Sequence, residues 1–436
     1  MNFAILGAGP SGLTASRLLK HPNTVFEKDN HPGGHTSSIS DQGYTFDQGP
    51  HIMFSKNKPI LDFMVKSLKK NVHKCRRNNK VSYKGRLIKW PFENDLASLP
   101  ARDTLSCLKS YINNPYKKRY PKPKNLRQWL LYHFGEGMCY RFLFPYNEKV
   151  WNVPVEQLSM IWADRIPKPS TDDILKSALG HKTEGYLHQL YYHYPLTGGY
   201  QALSQAWAKN VNVHYNFEVK NISKTKKGAF IVSDGIVQTE FDQIISTIPI
   251  HELVKILSFP IPQNILRAVK NLMVNPMIVI SLGIKGKDNN QYTAIYFPED
   301  DFLVNRISFP KTFSPNNAPK GYYSIQAEIT CKKNSPIWKR DDAFFMDHVI
   351  DGLIKRKIFR KKSLICYQHV LRVPYAYVVY DKAYEKNVRK VRKWFPQQGI
   401  HLLGRFSYFE YINTDGAIDR AQKVIGALNG KHEKAS

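Results

Sequence analysis

No apolar stretch of this 436-residue chain reaches the roughly eighteen residues that a membrane-spanning helix needs, so no transmembrane segment is expected. Cysteine is scarce. Cys75, Cys107, Cys139, Cys331 and Cys366 lie far apart with no CxxC pair, which excludes a disulfide scaffold and a Cys/His zinc site and points to buried free thiols. No other metal-ligand spacing occurs, and no metal is expected. An internal repeat and a nucleic-acid-binding motif are also missing. The N-terminus has no basic leader with a cleavage site; its first apolar residues run straight into glycines, and a cytoplasmic protein is the expectation. Acidic residues are in short supply, 35 Asp and Glu against 64 Lys and Arg, for a net charge of +29. The basic residues are spread out in short runs such as Lys117-Lys118-Arg119 and 355–362. That argues against nucleic acid and leaves a solvated surface, a phosphorylated substrate or peripheral association with an anionic membrane as readings.

What is present reads as globular: 42% hydrophobic and 23% charged residues, in a chain long enough for two or three structural units. Residues 3–6 form an apolar run, a glycine-rich turn follows, 13–19 keep helical spacing, and Thr24-Val25-Phe26 resumes a strand, which is a βαβ unit. From about residue 60 to 190 the pattern is mainly helical, with a hairpin in "VSYKGRLIKWPF" turning at Lys84-Gly85 and a Pro/Lys-rich surface loop in "INNPYKKRYPKPKN". Strand patterns return in "NVHYNFEVKNI", "GAFIVSDG" and "FDQIISTIP". Residues 275–380 alternate apolar and polar as an antiparallel sheet would, and "GIHLLGRF" followed by "AIDRAQKVIGALNG" reads as strand then helix. The expected fold is α/β: a Rossmann-like dinucleotide-binding domain from 1–60, 195–265 and 395–436, an inserted helical domain over 61–194, and an antiparallel sheet domain over 266–394.

The glycine turn is Gly7-Ala8-Gly9-Pro10-Ser11-Gly12, a GxGxxG between a strand and a helix, with Glu27 closing the next strand. Gly7 permits the tight turn, Gly9 lets the backbone approach a pyrophosphate, Gly12 lets the helix pack against the sheet, and the helix N-terminus faces the anion. Glu27 would accept hydrogen bonds from ribose hydroxyls.

A second glycine pair follows in "EKDNHPGGHTSS", with Gly34, His35 and Thr36. This pattern resembles the flavoprotein superfamily of amine oxidases, protoporphyrinogen oxidases and nucleotide-sugar mutases, which implies a tightly held FAD. Gly404-Arg405 and Asp415-Gly416-Ala417 resemble the segment that closes the flavin site, and Val219 falls among the implied cofactor contacts. "IKWPFENDLASLP" (88–100), "FLFPYNEKVWNVP" (142–154), "YFPEDDFLVNRISF" (296–309) and "GRFSYFEYINTDGAI" (404–418) resemble, in order, segments of UDP-galactopyranose mutases. That resemblance assigns Phe92, Glu93, Phe142, Asn147 and Trp151 to the uridine side, although on spacing alone Phe142 and Trp151 fit helix core. It assigns Tyr296, Arg306, Tyr377 and Tyr411 to the diphosphate, for which a guanidinium fork and neutral phenols are suited. Where the family has a second arginine on a mobile loop, "SALGHKTEGYLH" offers only Lys182 and His181. Ala294 replaces a tryptophan of the fungal type, and Glu93 a glutamine. In "GYTFDQGPHIMFS", His51 would sit beside the flavin, in a turn that Pro50 stiffens.

The activity so implied is a mutase interconverting pyranose and furanose forms of a nucleotide sugar, a UDP-sugar in the first instance, in cell-surface polysaccharide biosynthesis. Reduced FAD would attack the anomeric carbon through N5, forming a flavin-sugar adduct while Arg306 and the tyrosines hold the departing diphosphate. The rival reading is a flavin oxidase of the protoporphyrinogen or amine type, in which N5 accepts hydride and oxygen reoxidises the cofactor.

Overall fold

The computed structural model describes residues 1–184, 187, 190–287 and 291–433. Phe3–Leu6 is a fully buried strand, Pro10–Leu18 the helix after the glycine turn, with Pro10 at its first position, and Asn23–Phe26 the next strand. The two strands pair in parallel, Phe3 opposite Asn23 and Leu6 opposite Phe26. Three later segments complete a five-stranded sheet in the order Ile400–Leu402, Gln243–Ser246, Phe3–Leu6, Asn23–Phe26, Val213–His214, every pair parallel. Burial on both faces explains why its central strands read as continuous apolar runs. The long C-terminal helix, Thr414–Glu433, lies against Pro10–Leu18.

A seven-stranded sheet runs in the order Ile365–Val378, Val274–Lys285, Tyr322–Thr330, Arg306–Ser308, Ala294–Tyr296, Asn79–Tyr83, Arg86–Lys89. It is antiparallel except where Ala294–Tyr296 meets Asn79–Tyr83 in parallel. The expected antiparallel sheet is therefore mixed, and the hairpin read inside the helical stretch extends it. Lys84 (φ 48°) and Gly85 (φ 76°) both take positive φ, the two-residue turn whose twist matches the strands it joins. One face of the sheet packs Ile278, Leu282, Ile307 and Ile325 under the helix Asp342–Lys355.

The helical region builds its own core from Leu126, Leu130, Phe134, Phe142 and Trp151, drawn largely from Leu126–Met138 and Phe144–Trp151. Asn125 caps the first of these by accepting from the Gln128 N–H. The Pro/Lys-rich loop contains a short helix, Tyr116–Arg119, where Tyr116 stacks on Tyr120 at 5.5 Å; the aromatic pair supplies order that composition does not reveal. The thiol expectation needs one correction. Four cysteines are buried, but Cys366 is exposed, 3.1 Å from the Tyr44 hydroxyl, because it points outward from an alternating strand. Among the described residues no helix is long and apolar enough to cross a membrane.

The hairpin turn gives a direct check. A side chain at Gly85 would meet no atom within 4 Å, so Gly85→Val adds no clash and loses only the freedom to hold φ at +76°. A cost of about 1 kcal/mol is expected in a urea titration; unchanged stability would contradict the turn geometry.

Candidate functional site: a cleft between the two sheets

A cavity of about 1080 Å³ opens where the parallel strands end, lined by Gly7, Glu27, Thr247 and Gly404 from their C-terminal ends, and continues to the larger sheet. Crevices at the carboxyl ends of parallel strands are the usual ligand site of such sheets. Gly7 has φ 99°, and a Cβ there would stand 2.6 Å from Thr247 Oγ1. A Cβ on Gly12 would stand 2.0 Å from the Gly7 carbonyl oxygen, so the helix presses directly on the turn. Gly9, Gly34, His35, Thr36 and Val219 all line the cavity. Buried Glu27 accepts from the Ala8 N–H at 2.7 Å and the Asp29 N–H at 3.0 Å; burial raises its pKa against those two amides. Each of its oxygens keeps a lone pair for a ligand hydroxyl.

His35 and His51 share the cavity wall. The His35 ring bonds the Tyr375 carbonyl through Nε2 at 2.5 Å and leans on Phe406. Burial, then the Arg405 charge, holds its pKa down to about 4. His51 lies against Tyr200, and burial followed by Arg405 and His35 pushes its pKa down to about 3. Both imidazoles are neutral at physiological pH. Arg405 donates through Nε and Nη2 to the Ile412 carbonyl at 2.8 and 2.6 Å and lies over the Tyr411 ring. At the start of Thr414–Glu433, Ala417 lines the cavity; Asp415 sits in the first turn, where an acid complements the helix dipole, but off the wall.

On the larger sheet the register puts Tyr296 opposite Arg306 and Arg306 opposite Glu328, a row across three strands. Cross-strand partners face the same side, so the three side chains meet. Arg306 donates to Glu328 Oε1 through Nε at 3.0 Å and Nη2 at 2.6 Å, and from Nη2 to Oε2 at 2.8 Å. Glu328 is 0% exposed and Arg306 keeps 23% of its side chain exposed on the cavity wall. Burial opposes the arginine's charge, and Glu328 with the nearby phenols outweighs it. The Tyr377 hydroxyl donates to Glu328 at 3.4 Å, its ring stacks on Tyr411 at 5.9 Å, and burial pushes its pKa up. Tyr296 OH accepts from Asn79 Nδ2 at 3.0 Å.

The cavity thus gathers His51, Arg306, Tyr296, Tyr377 and Tyr411 with the glycine turn. It does not gather Phe92, Glu93, Phe142, Asn147 and Trp151. Phe92 stacks on Phe142 at 5.1 Å inside the helical core. Asn147 is spent locally, donating to the Leu143 carbonyl and accepting from the Trp151 indole. Trp151 packs edge-on behind Tyr377 and Tyr411. Glu93 is buried, which pushes its carboxyl up to about 7. Lys182 is exposed and away from the wall, and Gly185, Tyr186 and His188 of its loop lie outside the described residues.

Sequence reasoning passed over Glu328, whose signal was an acid at an inward position of "YSIQAEIT". It also passed over Asn79, Trp162 and Arg165, which line the cavity. Asn79 Oδ1 is buried with no hydrogen-bond partner.

A profile of the flavin containing amine oxidoreductase family matches residues 10–348. A UDP-galactopyranose mutase of Mycoplasma pneumoniae is 29% identical over 172 residues, 36% of this chain and 42% of that protein. The chain thus matches less than half the length of that curated relative. Among solved structures, a reduced UDP-galactopyranose mutase superposes with TM-score 0.90 at 23% identity, covering 98% of this chain and 95% of the other. A putrescine oxidase bound to putrescine superposes at TM-score 0.69 and 15% identity over 99% of both. At these identities the likeness shows the fold.

The cavity fits the flavin dinucleotide that such a family implies. Its volume tops the ~300–1,000 Å³ range of ordinary small-molecule pockets, two helix N-termini border it, and Glu27 and the unpartnered Asn79 Oδ1 offer acceptors.

Two outcomes are expected. Arg306→Ala strands buried Glu328 and destabilises the fold by roughly 3 kcal/mol, while Arg306→Met with Glu328→Gln recovers most of it; equal loss in both, by thermal unfolding, would deny the pairing. For His51 the folded pKa, about 3, lies below its ordinary value, so protonation opposes the fold as pH falls from about 6.5 toward 3. Its NMR signals are expected to stay unchanged from about pH 8 to 5; a midpoint near 6.5 would contradict its burial.

Proposed function

Because the chain belongs to the flavin-containing amine oxidoreductase family, we propose that within it this protein is an FAD-dependent nucleotide-sugar mutase, active with reduced cofactor and interconverting pyranose and furanose forms of a UDP-sugar. The observation that carries the reading is the row Tyr296–Arg306–Glu328 with Tyr377 and Tyr411 on the wall of the same cavity as the glycine turn. In this reading 1–60, 195–265 and 395–436 form a Rossmann-like unit that holds the cofactor, 61–194 covers the nucleotide, and 266–394 carries the diphosphate clamp, with the hairpin at 79–89 shared between the last two.

When bound and reduced, the flavin supplies an electron-rich nitrogen able to act as nucleophile toward an anomeric carbon. The chain's own residues do the rest. Glu328 occupies Nε and Nη2 of Arg306, which leaves Nη1 and its guanidinium edge available to the leaving group. Tyr296, Tyr377 and Tyr411 add neutral donors around the same oxygens, stabilising charge as it develops there. Phe142 and Trp151 act from behind the wall, the indole fixing the Tyr377–Tyr411 stack. Neutral His51 borders the flavin position without adding charge, and the glycine turn, Glu27 and the first turn of the C-terminal helix hold the dinucleotide. Lys182 is assigned no role.

The oxidase reading has the putrescine oxidase likeness in its favour. Arg77, Arg165 and Arg405 on the cavity wall weigh against it for a cationic amine.

The deciding experiment compares dithionite-reduced and oxidised protein on UDP-galactopyranose and UDP-galactofuranose. Conversion is expected only from the reduced protein, and Tyr411→Phe is expected to lower kcat/KM by about tenfold through one lost hydrogen bond to a charged group. Aerobic peroxide release with an amine, and no sugar turnover, would overturn the mutase reading.

A further inference from the structure

The outer face of the helical region has a chemistry that the cleft does not use. Between Asp103 and Glu136 the sequence holds no acidic residue, yet it carries Lys109, Lys117, Lys118, Arg119, Lys122, Lys124 and Arg127. The flanking acids are already engaged. Asp103 is bound by Lys84 at 2.8 Å and Arg141 at 3.0 Å, and Glu136 takes the Tyr116 hydroxyl. Among the described residues, none of Arg102, Lys109, Lys117, Lys118 or Arg119 forms an ion pair, and all five are exposed. These cations thus stand without ion-pair partners among the described residues, with Glu136, bonded to a neutral phenol, the one carboxylate at the end of the run.

The helix Ala101–Ile112 presents more than charge. Its inner face buries Asp103, Cys107 and Tyr111, and the opposite face exposes Arg102, Leu105, Lys109 and Ile112 in sequence. Leu105 is 59% exposed and Ile112 62%. Ile112 follows Leu105 by seven positions, two turns on one side of a helix. Two aliphatic side chains therefore stand in water, each beside a cation. Lys117 lies over the Tyr111 ring at 5.6 Å, which brings the basic loop back alongside the end of this helix.

We propose that this face is a peripheral docking surface for an anionic lipid bilayer, with Leu105 and Ile112 entering the headgroup boundary and the lysines and arginines meeting lipid phosphates. Charge complementarity selects an anionic surface, and the aliphatic pair selects lipid over nucleic acid, whose phosphates and base edges offer nothing to an isolated Leu and Ile. The inference stands apart from the flavin chemistry: none of these residues lines the cavity.

The test is co-sedimentation of the full chain with phosphatidylcholine vesicles and with vesicles containing phosphatidylserine. Binding to the anionic vesicles is expected to exceed that to neutral ones by at least about tenfold and to fall steeply with salt. Lys117→Gln/Lys118→Gln/Arg119→Gln and, separately, Leu105→Ser/Ile112→Ser are each expected to weaken it about a hundredfold, with the flavin absorbance of the holoprotein unchanged as the check on folding. No anionic preference would overturn the proposal. So would vesicle binding that survives both variants, which would place the contact elsewhere on the basic surface, or tighter binding to a duplex oligonucleotide that ignores the Leu105/Ile112 change.

Discussion

The Arg306–Glu328 pair is the constraint around which the cleft is arranged. A carboxylate with no exposure and a guanidinium facing a cavity are tolerable together and costly apart, since an unpaired buried charge is worth several kcal/mol. The sheet meets that requirement by register: Arg306 and Glu328 are direct antiparallel partners, and Tyr296 is next in the row. Once the pair is made, two of the arginine's nitrogens are committed and its free edge has one direction in which to act. Tyr377 then donates to the same carboxylate and carries Tyr411 with it by stacking.

The smaller parallel sheet makes a complementary half. Its glycine turn has no room for side chains at Gly7 or Gly12, and its wall holds two imidazoles uncharged by burial and by the neighbouring Arg405. Cationic charge in the cleft is thereby left to the arginine and lysine side chains of its wall. The family to which the chain belongs is flavin-containing, and the volume of the cavity and the two helix N-termini that border it fit such a dinucleotide.

Much of this was legible in the sequence. A GxGxxG after an apolar run, with Glu27 at the next strand end, locates one half of the cavity because Gly7 and Gly12 answer local steric demands. The Lys84-Gly85 turn was legible for the same reason. Less legible were features fixed by distant pairing. Nothing near Asn79 announces that its strand will join Ala294–Tyr296 in parallel, and helical spacing cannot distinguish an aromatic that lines a cavity from one that backs it, as Phe142 and Trp151 do. Glu328 was visible as an oddity, an acid on an inward strand position, but its partner lies on another strand. Cys366 lies on a strand whose outward residues happen to include a thiol.

The central claim is that the free edge of Arg306 and the adjoining phenols receive a diphosphate beside the flavin. The most direct measurement is the affinity of the flavin-loaded protein for UDP and for uridine, read from the flavin absorbance. UDP is expected to perturb the spectrum and to bind about a hundredfold more tightly than uridine, the value of one or two charge-assisted hydrogen bonds. Equal affinities, or UDP binding that leaves the spectrum untouched, would contradict the claim.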